Sequence, residues 1–335
     1  MPAEYRAALE GCALFDETHR GRIEVRGADA TGFLHRILAS DVRSLGAGGG
    51  QRSLLLSSKG KVLFDMDLFR APDSVWMSTP AGSAGALVAA LENYHFAEKL
   101  EIVSREAGSA PVALCGPAAD GIVMEVCGTV PPADPYAWLP ARFQGTEAVL
   151  ARVPVAGSLG IRVDAGPQHA GALWTALRGA GATAAGRVAR DALRVEAGAA
   201  LYGEDVDENV YPQEARLESA FSLTKGCFVG QEVVAKIDTY GGLNKRIMAL
   251  RIAHSDPVPR GTRLVREDEG ELRDLGVVTS WAYSFVLDTG VALGYVKRRH
   301  QDAGTTFRLG ESDTQAVIVP LPIRAGAIPP TGSNP

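Results

Sequence analysis

Strand-like and helix-like stretches follow one another irregularly as far as Asn244, and beyond Lys245 only short strand-like runs remain. That order constrains the fold more than any single residue does, because a doubly wound parallel sheet needs regular strand–helix–strand units and this chain does not supply them. Alternation over 21–26 gives way at Gly27-Ala28-Asp29 to helical spacing over 30–39, carried by Phe33, Leu34, Ile37 and Leu38. Strand patterns at 52–56 and 61–69, joined by Ser57-Ser58-Lys59-Gly60, precede a strand at 75–79, a helix near 82–92 and a strand near 100–104. A weaker echo begins at 113–117, with helices near 118–127 and 168–180, strands near 148–153 and 160–165, and a proline-rich loop at 130–135 between them. The expectation is an α+β part with antiparallel sheets over 1–242, internally duplicated near 1–112 and 113–242. Short turn-separated strands over 243–322 predict a small barrel or sandwich. The Gly/Pro/Ser-rich stretch 323–335 reads as a loosely held tail.

Composition narrows the function classes. At 335 residues and 46% hydrophobic the chain can bury a core divided among two or three units. Its 34 basic and 39 acidic residues leave a net charge of −5, which offers no field for tight nonspecific nucleic-acid binding, although Lys297-Arg298-Arg299-His300 is a local basic spot. The chain shows neither a membrane-length apolar run nor an apolar signal core behind Met1-Pro2-Ala3-Glu4, so a cytoplasmic protein without a membrane partner is expected. Cys12, Cys115, Cys127 and Cys227 form no Cys-x-x-Cys pair and have no histidine at ligand spacing. Neither a disulfide framework nor a metal site is suggested, and any iron–sulfur cluster would belong to a partner. His19, His35, His95, His169, His254 and His300 are scattered and read as surface or capping residues.

One run asks for chemistry. Lys225-Gly226-Cys227-Phe228-Val229-Gly230-Gln231-Glu232 sets a thiol between two glycines, beside a cation and upstream of a carboxylate. Glycine permits positive φ or a close ligand approach, and Lys225 favours a thiolate, so Cys227 reads as a reactive cysteine. The alternative is a small apolar residue in a glycine-punctuated turn that opens a helix. With Asn244-Lys245-Arg246 downstream, this run resembles the signature of the YgfZ family, folate-binding relatives of the glycine-cleavage T-protein. The similarity extends from Gly11-Cys12-Ala13-Leu14-Phe15-Asp16 to Val317-Ile318-Val319-Pro320. It implies a folate-binding part built of two ferredoxin-like halves followed by a β-barrel, with tetrahydrofolate or a one-carbon derivative as cofactor. It further implies a protein assisting synthesis or repair of iron–sulfur enzymes, including tRNA-modifying ones, with iron–sulfur client or assembly proteins as partners. Two other readings stay open: a folate-dependent aminomethyltransferase or other one-carbon transferase, and a non-catalytic interaction scaffold.

The same resemblance assigns further residues. Leu193-Arg194-Val195-Glu196-Ala197-Gly198 is similar to the T-protein stretch whose glutamate hydrogen-bonds the pterin ring, a role falling on Glu196; one carboxylate can accept adjacent ring N–H and amino donors together. Glu204, Asp205, Asp207 and Glu208 after it read as a solvated acidic turn. On a strand beginning at Val62, alternation puts Asp65 and Asp67 on one face. Asp65 matches the T-protein aspartate near the reactive folate nitrogens, while Phe64 stands where that family usually has a second acid. Arg246 is a candidate for the folate tail carboxylates, and Tyr295 resembles a barrel residue near the ligand; solvated and core roles are their respective alternatives.

Overall fold

The computed structural model describes residues 2–268 and 271–330. The α+β expectation holds: two antiparallel-dominated sheets with outer helices are followed by a closed six-stranded barrel. The first sheet runs in the order Gly50–Leu56, Val62–Arg70, Ser74–Thr79, Gly21–Arg26, Glu101–Ser104, with every pairing antiparallel. Alternation explains its sidedness. Ile23 and Val25 join Met66, Leu68, Val75 and Met77 beneath the helices Ala30–Ile37 and Ala84–Glu92, whereas Arg22, Glu24, Asp65 and Asp67 fall outside that core.

The second sheet has the order Thr183–Ala184, Ala13–Asp16, Val112–Cys115, Ser158–Asp164, Thr146–Val155, Trp138–Phe143, covered by the helices Ala119–Cys127 and Ala170–Gly179. The remaining faces of both sheets share one apolar cluster in which Leu54, Phe69 and Trp76 meet Ala113, Ala151 and Val153. Phe69 stacks on Trp76 with ring centroids 4.0 Å apart, and Trp138 meets Trp76 edge-on at 5.7 Å. The barrel closes in the order Lys245–Ile252, Thr289–Lys297, Glu271–Ser284, Arg263–Asp268, Thr306–Leu309, Gln315–Val319 and back to the first strand, which removes exposed sheet edges. Among the described residues no helix is long and apolar enough to cross a membrane.

The two halves are not consecutive pieces of chain. Ala13–Asp16 pairs antiparallel with Val112–Cys115 and parallel with Thr183–Ala184, so an N-terminal strand lies inside the second sheet. Conversely, Ser222 donates its amide to Ala39 at 2.9 Å, and the chain after it packs on the first half. A division at 112 therefore cuts through an interlocked pair. Strand pattern reveals a strand but not its partner, which is why this escaped the sequence. Other elements were unforeseen too, among them the helices Ala3–Glu10 and Arg187–Ala197, the strands Ala13–Asp16 and Thr183–Ala184, and the strand Trp138–Phe143. The last contains Pro140, which argues against a central strand, and it lies at the sheet edge, where a missing N–H is tolerated.

The expected loose tail is corrected over 323–330. Ile323 donates its amide to the Glu196 carbonyl at 2.7 Å, the buried Arg324 donates to Ser158 Oγ at 2.9 Å, and the Ile328 amide reaches the Gly157 carbonyl at 2.9 Å. Composition counted few apolar anchors there, but backbone hydrogen bonds and one arginine hold the segment. Residues 331–335, the rest of that expected tail, lie outside the described residues.

Candidate functional site

Strands of both sheets, the end of the helix Arg187–Ala197 and the segment 323–330 enclose a cavity of about 450 Å³. That volume falls within the roughly 300–1,000 Å³ usual for small-molecule sites. Asp65 and Asp67 both line it, as their shared strand face leads one to expect. Arg52 grips Asp65 through both oxygens, Nε to Oδ1 at 2.8 Å and Nη2 to Oδ2. Asp67 Oδ2 accepts from Arg20 at 3.2 Å and Arg162 at 3.0 Å. Behind it Glu17, 1% exposed, accepts from Arg162 and Arg190, each at 2.7 Å. Burial pushes the Glu17 carboxyl up, but Arg162, Arg20 and Arg190 outweigh it and hold the group far below the usual carboxylate range.

Apolar and aromatic walls complete the cavity: Met66, Leu159, Leu201, Tyr136 and Tyr202. The Tyr202 hydroxyl donates to the Leu63 carbonyl, tying the 199–202 loop to the strand that carries Asp65. Burial, and then Asp67, push the Tyr136 hydroxyl pKa far up, so it acts only as a neutral group. Five described non-glycine residues have positive φ, and three of them, Tyr136, Ala156 and Arg216, line this cavity. Such conformations persist where the surroundings over-determine them, and they concentrate at functional sites. The arrangement offers fixed carboxylate acceptors, several guanidinium donors and flat apolar walls. Each carboxylate oxygen has two acceptor positions, so the arginines do not exhaust Asp65 and Asp67.

Cys227 is elsewhere. It is exposed, and with Lys225 and Gly226 it borders a second depression of about 450 Å³ shared with Phe33, His35 and Arg43. The structure therefore separates Cys227 and Lys225 from Asp65. The Lys225 amine donates to the His35 carbonyl and lies 5.0 Å from the centre of the Phe228 ring. Burial pulls its pKa down to about 8, with Asp41 opposing. His35, expected in a surface or capping role, is buried, with Nε2 3.0 Å from the Lys225 carbonyl.

Much of the signature around the thiol is architecture. Gly226 has φ 103 and Gly230 has φ 80. Gly230 caps the helix Gln231–Tyr240, and a Cβ there would overlap the Ser57 carbonyl. The following Gln231 starts that helix, and its amide donates to the Phe228 carbonyl at 3.2 Å. Glu232 pairs in solvent with Lys236 at 2.6 Å.

Three other expected ligand-facing residues are engaged within the protein. Glu196 is fully buried and does not line the cavity; it accepts from Tyr5 Oη at 2.5 Å, Ser284 Oγ at 2.7 Å and the Val286 amide at 3.4 Å. Helical periodicity turned it away, since Arg190, Arg194 and Ala197 of the same helix occupy the wall. Arg246 pairs with Glu218 at 2.6 Å, and the Tyr295 hydroxyl donates to the Asp205 carbonyl at 2.9 Å. Asp205 itself, expected in a solvated turn, is buried; it pairs with Arg194 at 3.0 Å and accepts from Ser280 at 2.7 Å, locking the α+β part to the barrel. Sequence reasoning missed Glu17, Arg20, Tyr136, Arg162 and Arg190. Arg162 alternates with the core residues Ile161 and Val163, a pattern that reads as a solvated strand face unless the opposing sheet is known.

The chain matches two known domain families in succession, the GCVT N-terminal domain over residues 1–225 and the glycine cleavage T-protein C-terminal barrel domain over residues 245–323. It is 32% identical to an aminomethyltransferase of Rubrobacter xylanophilus over 96% of this chain and 86% of that protein. An aminomethyltransferase of Thermosynechococcus vestitus is 27% identical, covering 95% and 86% respectively. The crystal structure of glycine cleavage system aminomethyltransferase T from Bartonella henselae superposes with a TM-score of 0.85 at 26% identity, over 97% of this chain and 89% of that one.

Proposed function

The chain belongs to the glycine cleavage T-protein family, and from that membership we propose that its central cavity binds a reduced folate in the service of one-carbon transfer, as in an aminomethyltransferase. The observation that carries this reading is the cavity wall itself, where Asp65 and Asp67 are held in place by Arg52, Arg20 and Arg162. These groups suit a folate: a pterin offers clustered N–H donors to carboxylates, its ring and benzoyl group fit apolar walls, and its acidic tail suits guanidinium donors. A bound folate would supply the nitrogens that accept the one-carbon unit. The protein's part is to orient it, with Asp65 fixed by Arg52 and the Tyr202 loop closing over the strand. Glu196 serves here as a brace at the junction of Tyr5, the barrel and the segment 323–330, rather than as a ligand.

Calorimetric titration with tetrahydrofolate tests the reading. Binding should be measurable, and Asp65→Asn should weaken it about tenfold or more, the scale of a hydrogen bond to a charged group. The purified protein should also form methylene-tetrahydrofolate from an aminomethyl donor. One observation favours a second reading, in which a folate protein assists iron–sulfur enzymes: Cys227 is exposed beside Lys225 in its own depression, a placement that transfer in the cavity does not require. Folate binding without aminomethyl transfer, together with loss of iron–sulfur enzyme activity in cells carrying Cys227→Ser, would move the assignment to that reading.

A further inference from the structure

Asp65 and Asp67 share one face of the strand Val62–Arg70 and both line the cavity, but their carboxylates are held differently. In the sheet Arg52 stands directly opposite Asp67, yet its guanidinium reaches diagonally and takes both oxygens of Asp65. Asp67 is left to Arg20 and Arg162, which donate to one and the same oxygen, Oδ2, at 3.2 Å and 3.0 Å. Each of these arginines is fixed from behind. Arg20 donates Nε to Ser78 Oγ at 2.8 Å, and Arg162 donates Nε to the buried Glu17 at 2.7 Å. Two fixed donors on one oxygen set the orientation of the carboxylate, and among the described residues no hydrogen bond reaches the other oxygen, Oδ1.

The aromatic neighbours do not take that oxygen. Burial, and then the Asp67 charge, push the Tyr136 hydroxyl pKa far up, so it stays protonated, but no hydrogen bond joins it to Asp67. The Tyr202 hydroxyl is spent on the Leu63 carbonyl. Both acceptor positions of Oδ1 therefore remain for a ligand in the cavity. We propose that Asp67 Oδ1 is the acceptor by which the central cavity recognises a ligand carrying an amino group next to a ring N–H. In a folate these are the pterin 2-amino group and the ring N–H beside it, so the proposal rests on the folate reading above. Asp67 is then the specificity-determining carboxylate. Asp65, with both oxygens in the Arg52 fork, contributes charge and position beside the ring without reading the amino group.

The test compares tetrahydrofolate with its analogue in which a methyl group replaces the 2-amino group, by calorimetry on the full chain. The native protein should bind tetrahydrofolate about 10–100-fold more tightly, the scale of a charge-assisted hydrogen bond. In Asp67→Asn the two arginines claim the amide oxygen and turn its NH2 toward the ligand's own donors; Asp67→Glu keeps an anion for both arginines but displaces it by one methylene. Either change should cut the preference to within about threefold, whereas Asp65→Asn should weaken both probes alike and keep it. Equal binding of the two probes by the native protein, or a preference unchanged in both Asp67 variants, overturns the proposal and leaves the folate reading standing. A preference lost in Asp65→Asn and kept in the Asp67 variants also overturns it, because Asp65 would then read the ring. Binding of neither probe by the native protein removes the folate reading and the proposal together.

Discussion

The central cavity and the depression beside Cys227 are of similar size and are built in opposite ways. In the cavity, side chains from distant parts of the chain fix one another: Arg162 joins Glu17 to Asp67, and Arg194 joins Asp191 to Asp205. Around Cys227 remote residues such as Phe33, His35 and Arg43 also supply the wall, but the thiol itself is exposed beside Lys225 and Gly226 and is held in no such network of ion pairs. A preorganised network of that kind suits holding a ligand, whereas an exposed thiol on a short loop suits reaching a partner. The lesson is that the most conspicuous local motif need not mark the site at which a ligand is held.

The sharpest way to break this contrast is thiol chemistry. Burial pushes the thiols of Cys12 and Cys115 up to about 12 and that of Cys127 up to about 11. At pH 7 their thiolate fractions are on the order of 10⁻⁴ or less, and exposed Cys227 should be alkylated in the native protein at least about a thousandfold faster. Mass-spectrometric mapping of early label decides it; first labelling at any buried cysteine would undo the division between the two regions.

A smaller effect probes the cavity's frame. Replacing Glu196 by Ala strands Tyr5 and Ser284 beside buried Arg324, and should lower stability by about 3 kcal/mol, as breaking a buried charged network does. Urea unfolding measures the loss. A stable variant that has lost tetrahydrofolate binding would instead make Glu196 a ligand and join the frame to the site.

The smallest expected effect belongs to Lys225. Its pKa in the folded protein, about 8, lies below its usual 10.5, so between those values the unfolded chain binds more protons and stability rises with pH. The group is only partly buried, and solvent screening should keep the gain below about 1 kcal/mol. Urea midpoints at pH 7 and pH 9.5 should diverge between the native protein and Lys225→Met, the native protein gaining at the higher pH. Parallel behaviour would mean that Lys225 is as solvated as an ordinary surface lysine.

How much could be read beforehand follows from the range of each interaction. Strands such as Gly21–Arg26 and helices such as Ala119–Cys127 were legible because alternation and helical spacing are local. The pairing of Asp65 and Asp67 on one face was legible for the same reason. The placement of Ala13–Asp16 in the second sheet was not, because it depends on Cys115 and Thr183, which are remote in the chain. Glu196 was singled out by its neighbours in sequence, while Tyr5 and Ser284, which donate to its carboxylate, are distant in the chain and could not be named beforehand. Arg162 gave no signal, since an inward charge on an alternating strand looks like an outward one, and Glu17 lies just past the end of the strand Ala13–Asp16, where no periodicity marks it.

The segment 323–330 gives the cavity a timescale as well as a wall. Ile328 and Pro329 border the cavity, and the segment is hydrogen-bonded to the hairpin tip through Gly157 and Ser158 and to the helix end through Glu196. A few hydrogen bonds release far more often than a packed core opens, so detachment of this segment is the natural gate for ligand exchange. Residence time should then follow the opening rate of the segment and respond to Arg324, while equilibrium affinity follows the charged groups behind it.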